Sequence, residues 1–131
     1  MKFLLDTHIF VWSLLEPERL SKKVARAFED RSNELWLSPI SSWEVMVLAE
    51  KKRIDLRASP RKWLERVFSQ IPFRQASLTH EVAMQSRSVS LPHQDPADRF
   101  LAATAQVYGL TLVTADKALI KSKACSILAN R

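Results

Sequence analysis

Short apolar runs alternate with longer stretches of helical periodicity along the chain. Strands are predicted at 2–6, 34–38, 74–78, 110–115 and 126–128. Helices are predicted between them, at 7–15, 21–31, 41–52, 59–71, 79–88 and 96–108. Alternating strands and helices, with strands that are apolar on both faces, favour a parallel sheet covered on both sides. The pattern therefore predicts an α/β protein with three α/β/α layers around a central, mainly parallel sheet.

The stretch 93–116 predicts a helix followed by a strand. Asp95 is a suitable N-cap residue, and Gly109, the only glycine in the chain, suits the left-handed position that ends a helix. The helix would advance by roughly 20 Å, and the strand would return by about the same distance. Asp98, in the first helical turn, and Asp116, after the strand, are therefore expected at the same edge of the sheet.

The composition is typical of a globular protein with one hydrophobic core. The chain has 131 residues, 47% hydrophobic and 26% charged, and we expect a single domain over 1–131. A single cysteine excludes an internal disulfide framework and fits a reducing compartment. No segment approaches the roughly 18 uncharged apolar residues of a membrane span. We therefore expect a cytoplasmic protein with no membrane partner.

Four carboxylates occupy comparable places in the predicted elements. Asp6 follows the first strand, Glu44 lies near the start of a helix, Asp98 lies in a first helical turn, and Asp116 follows a strand. Each has a structural explanation: Ser41 and Glu44 have the spacing of a capping box, and the three aspartates suit helix N-termini. Considered singly, each acid is better explained as a capping residue.

The four acids together favour a different explanation. In a parallel sheet with crossover helices, strand C-termini and helix N-termini share one edge, and ligands bind there. Carboxylates gathered at that edge would repel one another unless a cation lay between them, and oxygen ligands select Mg²⁺ or Mn²⁺. The formal net charge of +6 favours a polyanionic partner. An acidic pocket in a basic protein is the layout expected for metal-assisted phosphodiester hydrolysis.

Four segments resemble one known family. They are LLDTH (4–8), ISSWEV (40–45), HQDPADRFLAATA (93–105) and GLTLVTAD (109–116). In this order and spacing the chain resembles the PIN-domain family and, within it, the VapC-type ribonuclease toxins of toxin–antitoxin pairs. The resemblance implies a PIN-like α/β/α fold and a Mg²⁺- or Mn²⁺-dependent endoribonuclease. It also implies catalytic, metal-binding roles for Asp6, Glu44, Asp98 and Asp116, inhibition by an antitoxin protein, and a homodimer.

Three further residues could support the four acids. Thr7 and Thr114 could orient a carboxylate or a water, although ordinary hydroxyls at strand ends are an equal alternative. Asp95 could support the site from behind, but the N-cap interpretation is favoured. His8 and His93 lie near the acids, yet no paired spacing indicates a zinc site.

Basic and aromatic residues are candidates for contact with RNA. A basic tract is the first choice for that surface, although such tracts are usually only solvated; it comprises Lys51, Lys52, Arg53, Arg57, Arg61, Lys62 and Arg66. Arg99 could contact phosphate, with an exposed helical arginine as the slightly favoured alternative. The four tryptophans are expected in the core, and stacking on a base is the less favoured alternative; they are Trp12, Trp36, Trp43 and Trp63.

Other functional classes remain as alternatives at this stage. A phospho-acceptor domain also uses acids at strand ends, but this chain has no adjacent acidic pair near its N-terminus. A nucleic-acid-binding module without catalysis would bind RNA whether or not magnesium is present. Within the enzymes, a DNA-directed or RNA-processing PIN nuclease outside a toxin system is the alternative.

Overall fold

The computed structural model describes residues 1–92 and 94–131, so the sequence-based remark on His93 lies outside the described residues. A short 3₁₀ helix covers Pro17–Arg19. The other elements, in chain order, are β1 (Lys2–Leu5), α1 (Thr7–Leu15), α2 (Lys22–Glu29), β2 (Glu34–Leu37), α3 (Pro39–Glu50), α4 (Pro60–Gln70), β3 (Arg74–Gln75), α5 (His80–Gln85), α6 (Pro96–Tyr108), β4 (Thr111–Thr114), α7 (Lys117–Ser122) and β5 (Ile127–Ala129).

The strands form one sheet in the order β3-β2-β1-β4-β5, and every described pair is parallel. From β1 the chain moves outward through β2 to β3, and it then crosses back to place β4 on the other side of β1. The strand order therefore reverses between β1 and β4, where open parallel sheets leave a crevice at the carboxyl ends. The predicted three-layer fold with a central parallel sheet is confirmed.

Alternate residues of the central strands enter two separate hydrophobic cores. Phe3 and Leu5 of β1 pack on the face covered by α1, α2, α3 and α4, whereas Leu4 packs on the face covered by α5, α6 and α7. Leu112 and Val113 of β4 divide between the two faces in the same way. This alternation, the period of a strand buried on both sides, explains the continuous apolar runs in the sequence. Among the described residues, no helix is both long and apolar enough to cross a membrane.

Helix α3 begins earlier than the sequence pattern predicts. Its N-cap is Ser38, whose hydroxyl accepts a hydrogen bond from the Ile40 N–H, and Pro39 occupies the first helical position. A start at Ser41 or Ser42 is therefore wrong, because proline with its fixed φ already suits the first turn. Consequently Ser41 and Glu44 do not form a capping box, and Glu44 projects from the second turn.

Smaller differences concern element ends. Strand β3 has two residues rather than five, since the chain leaves the sheet after the Ala76 N–H donates to the Leu37 carbonyl. The helix expected to reach residue 88 ends at Gln85. Helix α7 had no counterpart in the predicted elements, because its six residues are too few to show helical periodicity.

The predicted ends of α6 are confirmed. The Asp95 side chain accepts hydrogen bonds from the N–H groups of Ala97 and Asp98, as expected of an N-cap residue. Gly109 has a φ of 67°, in the left-handed region that a glycine adopts without a Cβ penalty. The chain therefore turns directly from α6 into β4, and this places Asp98 and Asp116 at the same edge.

Arg99 is not an exposed helical arginine and does not lie on an RNA surface. Its residue is 6% exposed, and its guanidinium donates to the backbone carbonyls of Ser86, Val89 and Leu91. These carbonyls belong to the irregular segment between α5 and α6, which the arginine fastens to the start of α6. The prediction that Arg99 contacts phosphate is therefore wrong, because a side chain with these buried contacts cannot reach a ligand.

Arg99→Met is expected to lower the free energy of unfolding by about 3 kcal/mol, since buried carbonyls would lose a charged donor. Arg61→Met is the matched control, because the Arg61 side chain is 84% exposed in an i, i+4 ion pair with Glu65. That control should cost no more than about 0.5 kcal/mol. Urea unfolding measures both. Equal midpoints for the two variants would contradict the structural role of Arg99.

Candidate functional site

Four acids from different elements meet at the edge where the strand order reverses. Asp6 follows β1, Glu44 lies on α3, Asp98 lies in the first turn of α6, and Asp116 follows β4. They share a cavity of about 310 Å³, whose described lining comprises Asp6, His8, Trp12, Glu44, Asp95, Asp98, Ala115 and Asp116. The four elements thus bring together residues that are up to 110 positions apart in the sequence.

Asp6 is the most deeply buried of the four acids, with 8% of its residue surface exposed. Its backbone N–H donates to the Val113 carbonyl at 3.0 Å, which joins the end of β1 to β4. The Thr114 hydroxyl donates to Asp6 Oδ2 at 2.6 Å. Burial raises the pKa of the Asp6 carboxyl, while the hydrogen bond from Thr114 partly opposes this rise.

Glu44 is held from the side of α1. The Thr7 hydroxyl lies 2.5 Å from Glu44 Oε1 and 2.9 Å from the Ser41 hydroxyl oxygen, and it can donate to either. Burial raises the pKa of the Glu44 carboxyl, and the Thr7 hydrogen bond opposes the rise. Thr7 and Thr114 thus each donate a hydrogen bond to one of the acids, so each hydroxyl restrains the position of a carboxylate.

Asp98 carries the strongest sign of crowding among like charges. The pKa of its carboxyl is raised to about 7, first by burial and then by the negative charges of Asp95, Asp6, Asp116 and Glu44. A half-buried carboxylate near other carboxylates is costly to ionise unless positive charge is present. The site therefore favours either a proton or a cation at neutral pH.

The capping explanation holds for one of the four acids. Asp116 accepts hydrogen bonds from the N–H groups of Ala118 at 2.8 Å and Leu119 at 3.1 Å, so it caps α7 while it also lines the cavity. Asp6 occupies the N-cap position of α1 but makes no side-chain capping bond. Asp98 lies in the first turn of α6, where the helix dipole favours a negative charge.

The chemistry of the donors fits a hard divalent cation. Carboxylate oxygens dominate the cavity, and thiolates are absent from its described lining. Within residues 1–92 and 94–131, however, no three carboxylate, imidazole or thiol groups already lie at the spacing of a metal site. Mg²⁺ usually retains several waters and takes only one or two carboxylates directly, so this spacing remains compatible with it.

The basic tract is exposed throughout its seven residues, which run from the end of α3 to α4. Arg53 and Arg57 line a groove of about 1030 Å³ that also contains His8 and Glu44, so this part of the tract adjoins the acids. Arg61 is instead paired with a glutamate four residues later. The groove therefore connects positive charge to the carboxylate cluster.

At the sequence level, His8 is noted near the acids but has no role in the site, and Trp43 is expected in the core. His8 lines the acidic cavity, and its charge lowers the pKa values of the Asp6 and Glu44 carboxyls. Its position in the first turn after Asp6 was the available signal. The core assignment is wrong for Trp43, which is 59% exposed, whereas Trp63 is buried as predicted.

The chain is similar in sequence to known proteins. The family model described as PIN domain matches residues 3–124. Ribonuclease VapC22 of Mycobacterium tuberculosis (strain ATCC 25618 / H37Rv) is 39% identical over 119 residues, which cover 88% of this chain and 88% of that protein.

Solved structures show the same fold. DNA-bound VapBC from Salmonella typhimurium superposes with a TM-score of 0.72 at 21% identity, covering 100% of this chain and 99% of that chain. VapBC2 from Rickettsia felis, bound to a promoter DNA fragment, also gives a TM-score of 0.72, at 16% identity, with 98% of both chains covered. Because the family match runs through nearly the whole sequence and includes all four acids, this chain belongs to the PIN-domain family.

Proposed function

We propose that this protein is a Mg²⁺- or Mn²⁺-dependent endoribonuclease that hydrolyses phosphodiester bonds in RNA. The observation that carries the proposal is the meeting of Asp6, Glu44, Asp98 and Asp116 at one sheet edge. The 39% identity to a protein named as a ribonuclease supports it. The raised pKa of Asp98 supports it too, because a cluster that resists ionisation gains most from a bound cation.

The four acids would hold the metal. When bound, a divalent ion supplies a nucleophilic water at neutral pH and stabilises the negative charge that develops on the phosphate. The protein's own part is orientation: the Thr114 hydroxyl restrains the Asp6 carboxylate, and the Thr7 hydroxyl restrains Glu44. Hydrolysis adds water at phosphorus and breaks one P–O bond. These carboxylates must therefore keep their positions while the bonds around phosphorus rearrange.

The RNA backbone would lie along the basic tract. Arg53 and Arg57 share a groove with Glu44, so a strand held there would pass directly by the acids. Positive side chains that neutralise phosphates release counterions, and this gives affinity without sequence preference. Of the other basic residues of the tract, Arg61, Lys62 and Arg66 lie on α4, and Lys51 and Lys52 follow the end of α3.

A role as the toxin of a toxin–antitoxin pair is part of the proposal. The solved structures of similar fold from Rickettsia felis and Salmonella typhimurium are named as VapBC complexes, and another from Klebsiella pneumoniae is named as a toxin-antitoxin complex. An antitoxin arginine that reached the carboxylates would make a charge-assisted contact and could displace the metal. A homodimer and a cytoplasmic location complete the proposal.

Asp98→Asn distinguishes a metal ligand from a helix cap. If Asp98 is a metal ligand, the variant should be at least as stable as wild type in EDTA, because like-charge repulsion is relieved. It also predicts a smaller stabilisation by Mn²⁺, which follows RT ln(1 + [L]/Kd). If Asp98 only caps the helix, the variant should lose about 0.3–1 kcal/mol in the free energy of unfolding and should keep its activity. Thermal melting in EDTA and in Mn²⁺ measures the difference.

An RNA cleavage assay accompanies the melts, with single-stranded DNA as the second substrate. Wild type should cut RNA in Mg²⁺ or Mn²⁺ but not in excess EDTA, and Asp98→Asn should lose orders of magnitude in rate. Cleavage that persists in EDTA would exclude the metal mechanism. RNA binding without cleavage would indicate a non-catalytic module, and cutting of DNA in preference to RNA would indicate the DNA-directed alternative.

Charge reversal in the groove tests the RNA surface. Arg53→Glu with Arg57→Glu should weaken RNA binding and reduce the slope of log K against log salt by roughly 0.7 per lost phosphate contact. The control is Lys2→Glu with Arg31→Glu, which makes the same charge change at exposed residues by the opposite sheet edge. Equal effects of both pairs would show that net charge, rather than this groove, governs binding.

Expression in a bacterial host tests the toxin role. Wild type alone should arrest growth, while Asp98→Asn at the same protein level should not, because the arrest requires RNA cleavage. Co-expression of the protein encoded by the adjacent gene should restore growth. Harmless accumulation of a wild-type protein that cuts RNA in vitro would favour a processing nuclease outside a toxin system.

A further inference from the structure

Trp43 is exposed to solvent, so packing in the core does not explain why a tryptophan occupies this position. Its residue is 59% exposed on α3, immediately before Glu44, whereas Trp63 is 7% exposed in the core. The other two tryptophans have local partners: the Arg19 guanidinium lies 4.0 Å from the Trp12 ring centroid, and the Trp36 indole donates to Glu34. A solvent-exposed indole beside a candidate active site indicates a binding role.

Trp43 lines an apolar cavity of about 680 Å³ that is separate from the acidic one but adjoins it. The remaining apolar lining comes from Pro39, Ile40, Leu78, Pro96 and Ala97. Glu44 and Asp95 line both cavities. Whatever occupies the apolar cavity therefore lies directly beside the carboxylates.

We propose that Trp43 stacks an unpaired nucleobase of the RNA, next to the phosphodiester bond that is cut. The inference rests on the proposed function and names a part of the substrate that the carboxylates do not recognise. A base joined to the reacting phosphate needs an aromatic surface within one nucleotide of the acids. The shared walls of the two cavities supply that surface.

The lining fits a base better than an apolar side chain of a protein partner. A nucleobase has a flat π-face, which stacks on an indole, and N–H groups at its edge. Glu44 and Asp95 accept their described hydrogen bonds at Oε1 and Oδ1 respectively, so the N–H groups of a base can donate to the second oxygen of either carboxylate. A leucine or valine from a partner would cover the indole but would donate nothing to these carboxylates.

Stacking on Trp43 requires a base that has left its helix. The enzyme should therefore prefer single-stranded segments or loops over duplex RNA at that nucleotide. Preference among bases should be mild, because every base has a π-face. Trp43 would thus select the structure of the RNA around the cut more than its sequence.

The test is a double-mutant cycle between Trp43 and individual bases. The probes are a short labelled single-stranded RNA of mixed sequence and a series with one abasic nucleotide at each successive position. Fluorescence anisotropy in EDTA gives Kd for the intact RNA, and cleavage in Mn²⁺ gives kcat/KM. The proteins are wild type, Trp43→Ala, Trp43→Phe and Trp43→Leu. Met84→Ala is the control, because Met84 is 69% exposed on α5 and lines neither cavity.

At one position near the cut, the abasic nucleotide should cost wild type roughly 5- to 150-fold in Kd, as expected for one stacked base. The same abasic nucleotide should change the Kd of Trp43→Ala little, since this variant lacks the indole on which the base would stack. Trp43→Phe should keep most of the coupling, Trp43→Leu should lose it, and Met84→Ala should match wild type. Coupling in Kd without any cleavage would support the stacking while rejecting the proposed nuclease function.

Three results would overturn the inference while leaving the nuclease function standing. One is cleavage by wild type with equal abasic losses in wild type and Trp43→Ala at every position. Another is full coupling in Trp43→Leu, which would mean that apolar area suffices. The third is conversion of a dimer to a monomer by Trp43→Ala, seen by sedimentation, with RNA affinity unchanged. That result would assign the cavity to an interface between copies of the chain.

Discussion

The buried carboxylate of Asp6 is the constraint on which the site depends. It lies at the junction of β1 and β4, where the Asp6 N–H bonds to Val113 and the Thr114 hydroxyl bonds to the carboxylate. A buried charge is unfavourable unless it is well hydrogen-bonded, so this junction must be built accurately. The parallel register of β1 on β4 supplies that accuracy, and the other three acids are placed relative to it.

The fold tolerates the crowded carboxylates through several modest contributions. The N-termini of α6 and α7 meet the cavity with their positive ends, and His8, when protonated, lowers the pKa values of the Asp6 and Glu44 carboxyls. These contributions do not remove the strain, because the pKa of Asp98 stays raised to about 7. A site that keeps residual repulsion among its acids is suited to binding a cation, since the positive charge of the cation relieves that repulsion.

The surroundings of the acids differ on their two sides. One side is a groove that contains Arg53 and Arg57 and suits a phosphate backbone. The other is an apolar cavity with the exposed indole of Trp43, which suits a base. Arg99, by contrast, is buried, and its guanidinium fastens the segment that precedes α6. Arginines only a few tens of residues apart thus serve different purposes, according to whether carbonyls or solvent surround them.

Local patterning in the sequence was sufficient for the alternation of strands and helices, the caps at Asp95 and Gly109, and the gathering of four acids at one edge. These follow from short-range geometry, since helix rise, strand rise and parallel connections dictate which residues share an edge. The start of α3 also follows from local signals, Ser38 and Pro39, which the sequence interpretation passed over. The burial of Arg99 and the exposure of Trp43 were decided only by tertiary structure. An arginine or a tryptophan on a helix has the same local propensity whether it faces a neighbouring segment or water, and only packing determines which it meets.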